Sequence, residues 1–302
     1  MKSFVDSLPE DLVGNVRSMC GRRGEEWLKS LPELILAIET RWNIRTGTVY
    51  PASGINYVAP AESGSGELSV LKISPPYDTT EFASEAAYLR ARCGASCVEL
   101  RKIDDENRCM LLERAVPGET MDVIFDGREP ECVAPAIEVL RSVSKDAAPP
   151  PKDAIRLDDW FDNLRRAYGT DFPSAYLRRA LEIYERSSSG TSYLHGDFHP
   201  RNIVSADREP FLLIDPKGIV GHLGYEAAVF LNNFHWWQED RPDIADRLDV
   251  AVRQFAEGLG STEQATHEWA FAQMVIGAWW TFDELPDQYD NDVAKADIWG
   301  IL

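Results

Sequence analysis

The chain has 302 residues, 44% of them hydrophobic and 27% charged, the proportions of an ordinary globular protein with room for one large domain or two lobes. Its net charge of −19 denies it the basic footprint that a nucleic-acid binder needs. No run is apolar and long enough to span a bilayer, and the start Met1-Lys2-Ser3-Phe4 lacks the apolar stretch of a secretory signal, so no membrane role is expected and the cytoplasm is the expected compartment.

In chain order, Leu8-Pro9-Glu10-Asp11 places proline and acids where a helix begins. Gly24-Glu25-Glu26-Trp27 starts a second helix, with Trp27, Leu28, Leu31, Leu34, Ile35 and Ile38 at helical spacing up to Trp42. Tyr57-Val58-Ala59 reads as a strand, Glu62 to Glu67 as a glycine-bearing hairpin turn, and Leu68 to Ile73 as the return strand. A helix is expected from Thr79 to Cys93. Two strands follow, Val98 to Ile103 and Met110 to Arg114, joined by the polar turn at Asp104 to Asn107. Val116-Pro117-Gly118 marks a connector, beyond which the pattern is mainly helical. Helices are expected over Leu157 to Tyr168, Pro173 to Ser187, Tyr225 to Trp237, Pro242 to Leu259 and Thr262 to Phe282. The order implies an α+β, two-lobed, protein-kinase-like layout. Residues 1–115 form a lobe of helices and a small antiparallel sheet, and residues 116–302 a mainly helical lobe.

The chemistry is concentrated in His195-Gly196-Asp197-Phe198-His199-Pro200-Arg201-Asn202 and, after an apolar run, Asp215-Pro216-Lys217. An Asp five residues before an Asn, with a second Asp behind a buried strand, is the spacing of a kinase active site. Asp197 is the candidate to orient the attacking hydroxyl and take its proton. Asn202 and Asp215 are hard oxygen donors suited to Mg²⁺ bridging the phosphates of ATP. Each alone could be a turn or cap residue; the linked spacing favours catalysis. His195 and His199 could suggest a metal pair, but Gly196 and Pro200 argue against the helix that such a pair requires.

Lys72 lies within Leu68-Ser69-Val70-Leu71-Lys72-Ile73, where a lysine is unusual unless paired. It is the candidate for the α and β phosphates, with Glu85 as its partner and Glu81, one turn earlier, as the competitor. Ser53 and Gly54 are the candidate phosphate-covering loop, a weak signal because only Gly54 adds backbone freedom. Backbone groups near Glu113 and Ala115 are placed to meet the adenine edge. Five cysteines with no metal-ligand spacing read as reduced thiols.

From Thr191 onward there are 19 acidic and 7 basic residues, so the last third carries most of the negative charge. Surface solvation explains such an excess; attraction of a cationic substrate is the functional alternative. Aromatic residues interleave with acids there, including Trp236, Trp237, Trp279, Trp280 and Phe282 beside Glu239, Asp240, Asp283 and Glu284. At helical spacing most belong to the core, and some could line a pocket for a cation.

The stretch from His195 to Asn202, the run Phe211 to Lys217 and Gly224-Tyr225-Glu226-Ala227 resemble the aminoglycoside phosphotransferase superfamily. Asp215-Pro216-Lys217-Gly218 is similar in particular to its streptomycin 6-kinase and hydroxyurea phosphotransferase branch. Trp27-Leu28 with Leu31-Pro32, Val70-Leu71-Lys72, and Leu111 to Arg114 with Pro117-Gly118 resemble that branch too. The resemblance implies Mg²⁺ with ATP, or GTP in its place, and phosphorylation of a hydroxyl on a small molecule. It implies Asp197 as base and Asn202 with Asp215 as metal ligands. The expected acceptor is a cation of streptomycin type, met by carboxylates of the helical lobe for which Glu226, Glu239, Asp240, Asp283 and Glu284 are the candidates. The alternatives are a kinase of another amino-alcohol or sugar, and a kinase-like module that binds without catalysis.

Overall fold

The computed structural model describes residues 4–51, 54–77, 80–145, 149–187, 191–237, 241–284, 286, 289 and 292–302. It divides into two compact units, residues 1–94 with 98–115, and residues 95–97 with 116–302.

The first unit opens with helix α1, Glu10–Trp42. It comprises the two helices expected, joined across a kink at Gly21, where φ of 53° and ψ of −132° lie outside the helical region. Gly24 is needed just beyond the kink, because a Cβ there would meet the Val16 carbonyl oxygen at 2.6 Å. Strands β1 (Ile44–Thr46), β2 (Tyr57–Ser63), β3 (Leu68–Ile73), β4 (Leu100–Asp104) and β5 (Cys109–Glu113) form one antiparallel sheet in the order β1-β2-β3-β5-β4. Leu12, Val16, Leu28, Leu31 and Ile38 of α1 share a core with Tyr57, Ala59, Leu71, Ile73 and Leu111 of the sheet. Each of the leucine, isoleucine and valine side chains among them contributes roughly 1.5–3 kcal/mol when removed from water. Period-2 alternation sends Leu71 and Ile73 into this core and turns Lys72 to the other face. Helix α2, Glu81–Arg92, carries Glu85.

Residues 95–97 belong to the second unit. The Leu213 N–H donates to the Ser96 carbonyl at 2.9 Å, and Cys97 pairs in parallel with Leu213. Two small sheets organise the rest. Strands β6 (Pro117–Thr120), β9 (Ile203–Ala206) and β10 (Phe211–Leu213) lie in the order β10-β9-β6. Strands β7 (Ile155–Arg156), β8 (Ser192–Leu194) and β11 (Ile219–Gly221) lie in the order β7-β11-β8.

Around them stand α3 (Met121–Ile124), α4 (Val133–Lys145), α5 (Leu157–Leu164), α6 (Ser174–Ser187), α7 (Gly224–Trp237), α8 (Ile244–Leu259) and α9 (Glu263–Glu284). Helix α4 lies outside the helices expected from sequence, although Val133, Ala136, Ile137, Leu140 and Val143 are buried at helical spacing. The C-terminal aromatics divide as periodicity requires: Phe234, Trp269, Phe271 and Trp279 are buried, whereas Trp280 and Phe282 are half-buried. The buried thiols of Cys109 and Cys132 are free and pushed up to about 12 by burial. Among the described residues no helix is long and apolar enough to cross a membrane.

Candidate active site

The catalytic stretch is held by two strand pairings within the second unit. Antiparallel β9 and β10 pair Ile203 with Leu213. That register brings Asn202, just before β9, to the same end as Ile214 and Asp215, just after β10. The Ile214 N–H donates to the Asn202 carbonyl at 3.0 Å. The second pairing, β11 on β8, sets Ile219 opposite Leu194. Here the segment after Asp215 folds back, and the N–H groups of Lys217 and Gly218 donate to the His195 carbonyl at 2.7 and 3.1 Å. Gly196 sits at this closure with φ 81°, where an added Cβ would meet the Lys217 Cβ at 3.1 Å. Conformation and space both require glycine there.

Within this frame the sequence-predicted residues Asp197, Asn202 and Asp215 come together. The Asn202 amide nitrogen donates to the Asp197 carbonyl at 3.0 Å and to its carboxylate at 3.2 Å, and lies 3.2 Å from His199 Nε2. These contacts orient the amide so that Oδ1 is the atom left to face a cation. His199 Nε2 lies 3.5 Å from Asp197 Oδ1. Burial by itself would raise the Asp197 carboxyl; the His199 contact and the charge of Lys217 outweigh it and hold the group below its usual range. Asp215 has φ 57°, a left-handed conformation that aspartate tolerates better than most residues and that occurs at functional turns. An amide oxygen and a carboxylate beside this turn are the hard donors that Mg²⁺ prefers, with waters and phosphates left to complete its shell.

His195 is fully buried. Its Nδ1 accepts the Asp197 N–H at 3.2 Å, so its Nε2 carries the proton and donates to the Ile214 carbonyl at 2.9 Å. Burial lowers its pKa to about 4, and the ring is a neutral strut joining the Asp197 turn to the end of β10. Both ring nitrogens of His195 are thus engaged within the turn.

Glu226 requires a correction. Grouped by sequence with the substrate-facing carboxylates, it is buried at 1% exposure near the start of α7. Its carboxylate accepts the N–H of His195 and, at 3.2 Å to each oxygen, the N–H of Gly196. It acts on the backbone of the catalytic turn. The signal was present in its position, two residues after Gly224 in a motif shared with the chemistry.

The other candidates are distributed as follows. In the first unit, Lys72 Nζ and Glu85 Oε2 form an ion pair at 2.6 Å, both residues buried, while Glu81 at the start of the same helix is exposed. Gly54 has φ 61°, and its carbonyl accepts from Asn15 Nδ2 at 3.3 Å. Ser53 lies outside the described residues, as do Glu239 and Asp240. The Glu113 N–H is not available to an adenine, because it donates to the Glu99 carbonyl at 2.8 Å within the sheet. Ala115 is the last residue of the first unit. Asp283 in the second unit is engaged by both guanidinium nitrogens of Arg166, at 3.0 and 3.3 Å, and Glu284 is exposed at the end of α9.

Residues 41–284 match the family model described as aminoglycoside/hydroxyurea antibiotic resistance kinase. The streptomycin 6-kinase of Streptomyces glaucescens is 26% identical over 295 residues, covering 93% of each chain. The hydroxyurea phosphotransferase of Kitasatospora aureofaciens is 25% identical, over 97% of this chain and 86% of its own. Among solved structures, the choline kinase LicA from Streptococcus pneumoniae superposes with a TM-score of 0.62 at 13% identity, over 90% of this chain and 99% of its own. Aminoglycoside phosphotransferase APH(4)-Ia gives 0.61 at 15% identity, over 90% and 96%. The amicoumacin kinase hAmiN, in complex with AMP-PNP, Ca²⁺ and Ami, gives 0.62 at 14% identity, over 93% and 96%. The fold is therefore the protein-kinase-like fold of these phosphotransferases.

Proposed function

Because this chain belongs to the aminoglycoside/hydroxyurea antibiotic resistance kinases, and is a small-molecule phosphotransferase, we propose that it moves the γ-phosphoryl group of ATP onto a hydroxyl of a cationic acceptor of streptomycin type. The observation that carries the reading is the junction of Asp197, Asn202 and the Ile214–Asp215 step, in which one hydrogen-bonded turn presents a carboxylate, an amide oxygen and a second carboxylate. Residues 1–115 serve the nucleotide and residues 116–302 the catalytic turn and acceptor. Structures of the same fold hold AMP in LicA and AMP-PNP in hAmiN, which supports an adenine nucleotide here, with GTP as the substitute to compare. A cytoplasmic setting, where ATP and magnesium are abundant, belongs to the same reading.

Asp197, held ionised, accepts a hydrogen bond from the acceptor hydroxyl and aims its oxygen at the γ-phosphorus. As the new O–P bond forms, the O–P bond to the leaving ADP breaks, and the hydroxyl proton passes to the Asp197 carboxylate. Asn202 Oδ1 and the Asp215 carboxylate would hold Mg²⁺, which would neutralise phosphate charge there. Lys72, fixed by Glu85, is the counter-charge for the α and β phosphates, with the turn at Gly54 as the candidate to cover them. His195 and Glu226 touch neither substrate; they fix the turn.

A coupled ADP-release assay with ATP and Mg²⁺ across streptomycin, other aminoglycosides, hydroxyurea and small amino-alcohols tests this reading. Phosphorylation of streptomycin, ended by chelating the metal, is expected. Turnover of an amino-alcohol in preference to streptomycin would move the assignment to a metabolic kinase. Tight ATP binding with no turnover of any acceptor would replace it with a binding module.

A further inference from the structure

Helix α7 holds the catalytic turn with one face and meets α9 with another. Glu226 and Phe230 stand at i and i+4, so they share a side of the helix. Glu226 accepts the N–H groups of His195 and Gly196. The ring of Phe230 meets that of Phe198, inside the catalytic stretch, at 5.8 Å, with both residues fully buried. Tyr225 and Asn232 stand at i and i+7, on a different side. Gln273 of α9 hydrogen-bonds Tyr225, and Asn232 Nδ2 donates to Gln273 Oε1 and, at 2.9 Å, to the Ala270 carbonyl. A helix turns as one body, so the seat of the second face sets the pose of the first.

Asn232 is a buried polar residue in apolar surroundings: residues 227–231 and 234 beside it on α7 are buried Ala, Val, Phe and Leu. Its amide carries two N–H donors and a carbonyl acceptor, and a buried polar atom left without a partner is costly. Nδ2 is engaged with α9. Oδ1 accepts from Trp299 Nε1 at 2.9 Å. A buried network satisfied in this way selects one arrangement of the elements that it joins.

Trp299 ends the 3-10 helical segment Asp292–Trp299. Such helices have three residues per turn and rarely run beyond about four residues; this one has eight. Its length has a tertiary cause. Val293, Ala296 and Trp299, at the three-residue spacing, are all buried. The Tyr176 hydroxyl of α6 donates to Asp297 Oδ1 at 2.8 Å, and the ring of His267 on α9 meets that of Trp299 edge-on at 5.8 Å. The segment lies outside residues 41–284, the span that matches the family model.

We propose that Trp299 and Asn232 are positioning residues for phosphoryl transfer: the indole N–H of Trp299 fixes Asn232, Asn232 seats α7 on α9, and α7 holds the Asp197 turn through Glu226 and Phe230. Both act through α7 and not on the reacting atoms. A misplacement of about 1 Å far from the chemistry can cost about 10²-fold in rate, so one buried hydrogen bond at this distance along the chain bears on turnover. The inference rests on the phosphotransferase reading for its effect on rate.

The test uses the full chain and two readouts: hydrogen exchange of the backbone amides of His195 and Gly196, which reports local opening of the turn without any substrate, and steady-state ADP release with ATP, Mg²⁺ and streptomycin. Trp299→Phe keeps an aromatic ring and removes the N–H that Asn232 Oδ1 accepts. Gln273→Met, at a half-buried position, cuts the same network one step away and keeps the test available if Trp299→Phe does not fold. The control is Trp279→Phe, which deletes a bond of the same kind between α9 and α5, from Trp279 Nε1 to Asn163 Oδ1 at 2.7 Å. Expected for Trp299→Phe and Gln273→Met are exchange at least tenfold faster in the turn and kcat at least tenfold lower, with KM for ATP within twofold of wild type. Trp279→Phe stays within twofold of wild type in both readouts. Unchanged exchange in the turn, or unchanged kcat where wild type turns over, in either folded variant overturns the proposal. So does an equal change in Trp279→Phe, which marks a general loss of stability. Faster exchange in the turn of Trp299→Phe and Gln273→Met, with no phosphoryl transfer by any of the proteins, wild type included, supports the hold of Trp299 on the turn and refutes the phosphotransferase reading.

Discussion

The buried ring of His195 makes the stability of the catalytic turn depend on acid in a calculable way. An exposed histidine in the unfolded chain titrates near 6.5, whereas burial lowers the folded value to about 4. Between these values the unfolded chain binds a proton that the folded chain refuses. Stability is therefore lost as pH falls from 6.5 towards 4, and the effect vanishes above 6.5. At pH 5 this one group accounts for about 2 kcal/mol of destabilisation relative to pH 7.5. The perturbation is His195→Gln, compared with wild type by urea unfolding at both pH values. The variant starts lower at pH 7.5, by about 1–3 kcal/mol, because the bonds to the Asp197 N–H and the Ile214 carbonyl are impaired. Its further loss on moving to pH 5 is smaller than that of wild type by about 2 kcal/mol. Equal losses in the two proteins would refute a buried neutral His195.

Removing the Glu226 side chain by Glu226→Ala takes the acceptor from the buried N–H groups of His195 and Gly196. It should cost about 2–6 kcal/mol in urea unfolding, and kcat should fall more than ATP affinity; a cost below 1 kcal/mol would contradict the positioning role. Lys72→Met should destabilise by about 3–5 kcal/mol, because it deprives the buried Glu85 carboxylate of its counter-charge. The double change Lys72→Met/Glu85→Leu should recover part of that loss in the same assay, and a strictly additive double variant would show that the pair is not coupled.

Much of this architecture was legible because it rests on local rules. Leu68 to Ile73 alternates with period 2, which gave both the strand and the outward turn of Lys72. The helices from Leu157 onward show apolar periodicity, and their observed starts and ends differ from expectation by a few residues. The break in the N-terminal helical region was legible too: Gly21 leaves the helical region of φ and ψ, and Gly24-Glu25-Glu26-Trp27 marks the start of the second helix. The short strands β6 to β11 were largely hidden, since three or four residues carry too little periodicity. Asp197, Asn202 and Asp215 were readable because their chemistry fixes their spacing. Glu226 was misread because an acid in an acidic lobe looks like surface charge; only the fold aims it at the backbone of residues 195 and 196. The ring contacts of Trp160 with Tyr225 and Trp280 were hidden because these partners are 65 and 120 residues away in sequence, and the contacts exist only once α5, α7 and α9 are packed.

The most direct test of the account is the phosphoryl-transfer rate of Asp197→Asn, measured as ADP release under saturating ATP, Mg²⁺ and acceptor, beside ATP affinity by equilibrium titration. The substitution keeps the size of the side chain and removes the carboxylate that orients and deprotonates the hydroxyl. The account predicts a fall in kcat of about 10²–10⁴-fold with ATP affinity within twofold of wild type. A variant that turns over acceptor as fast as wild type would contradict it.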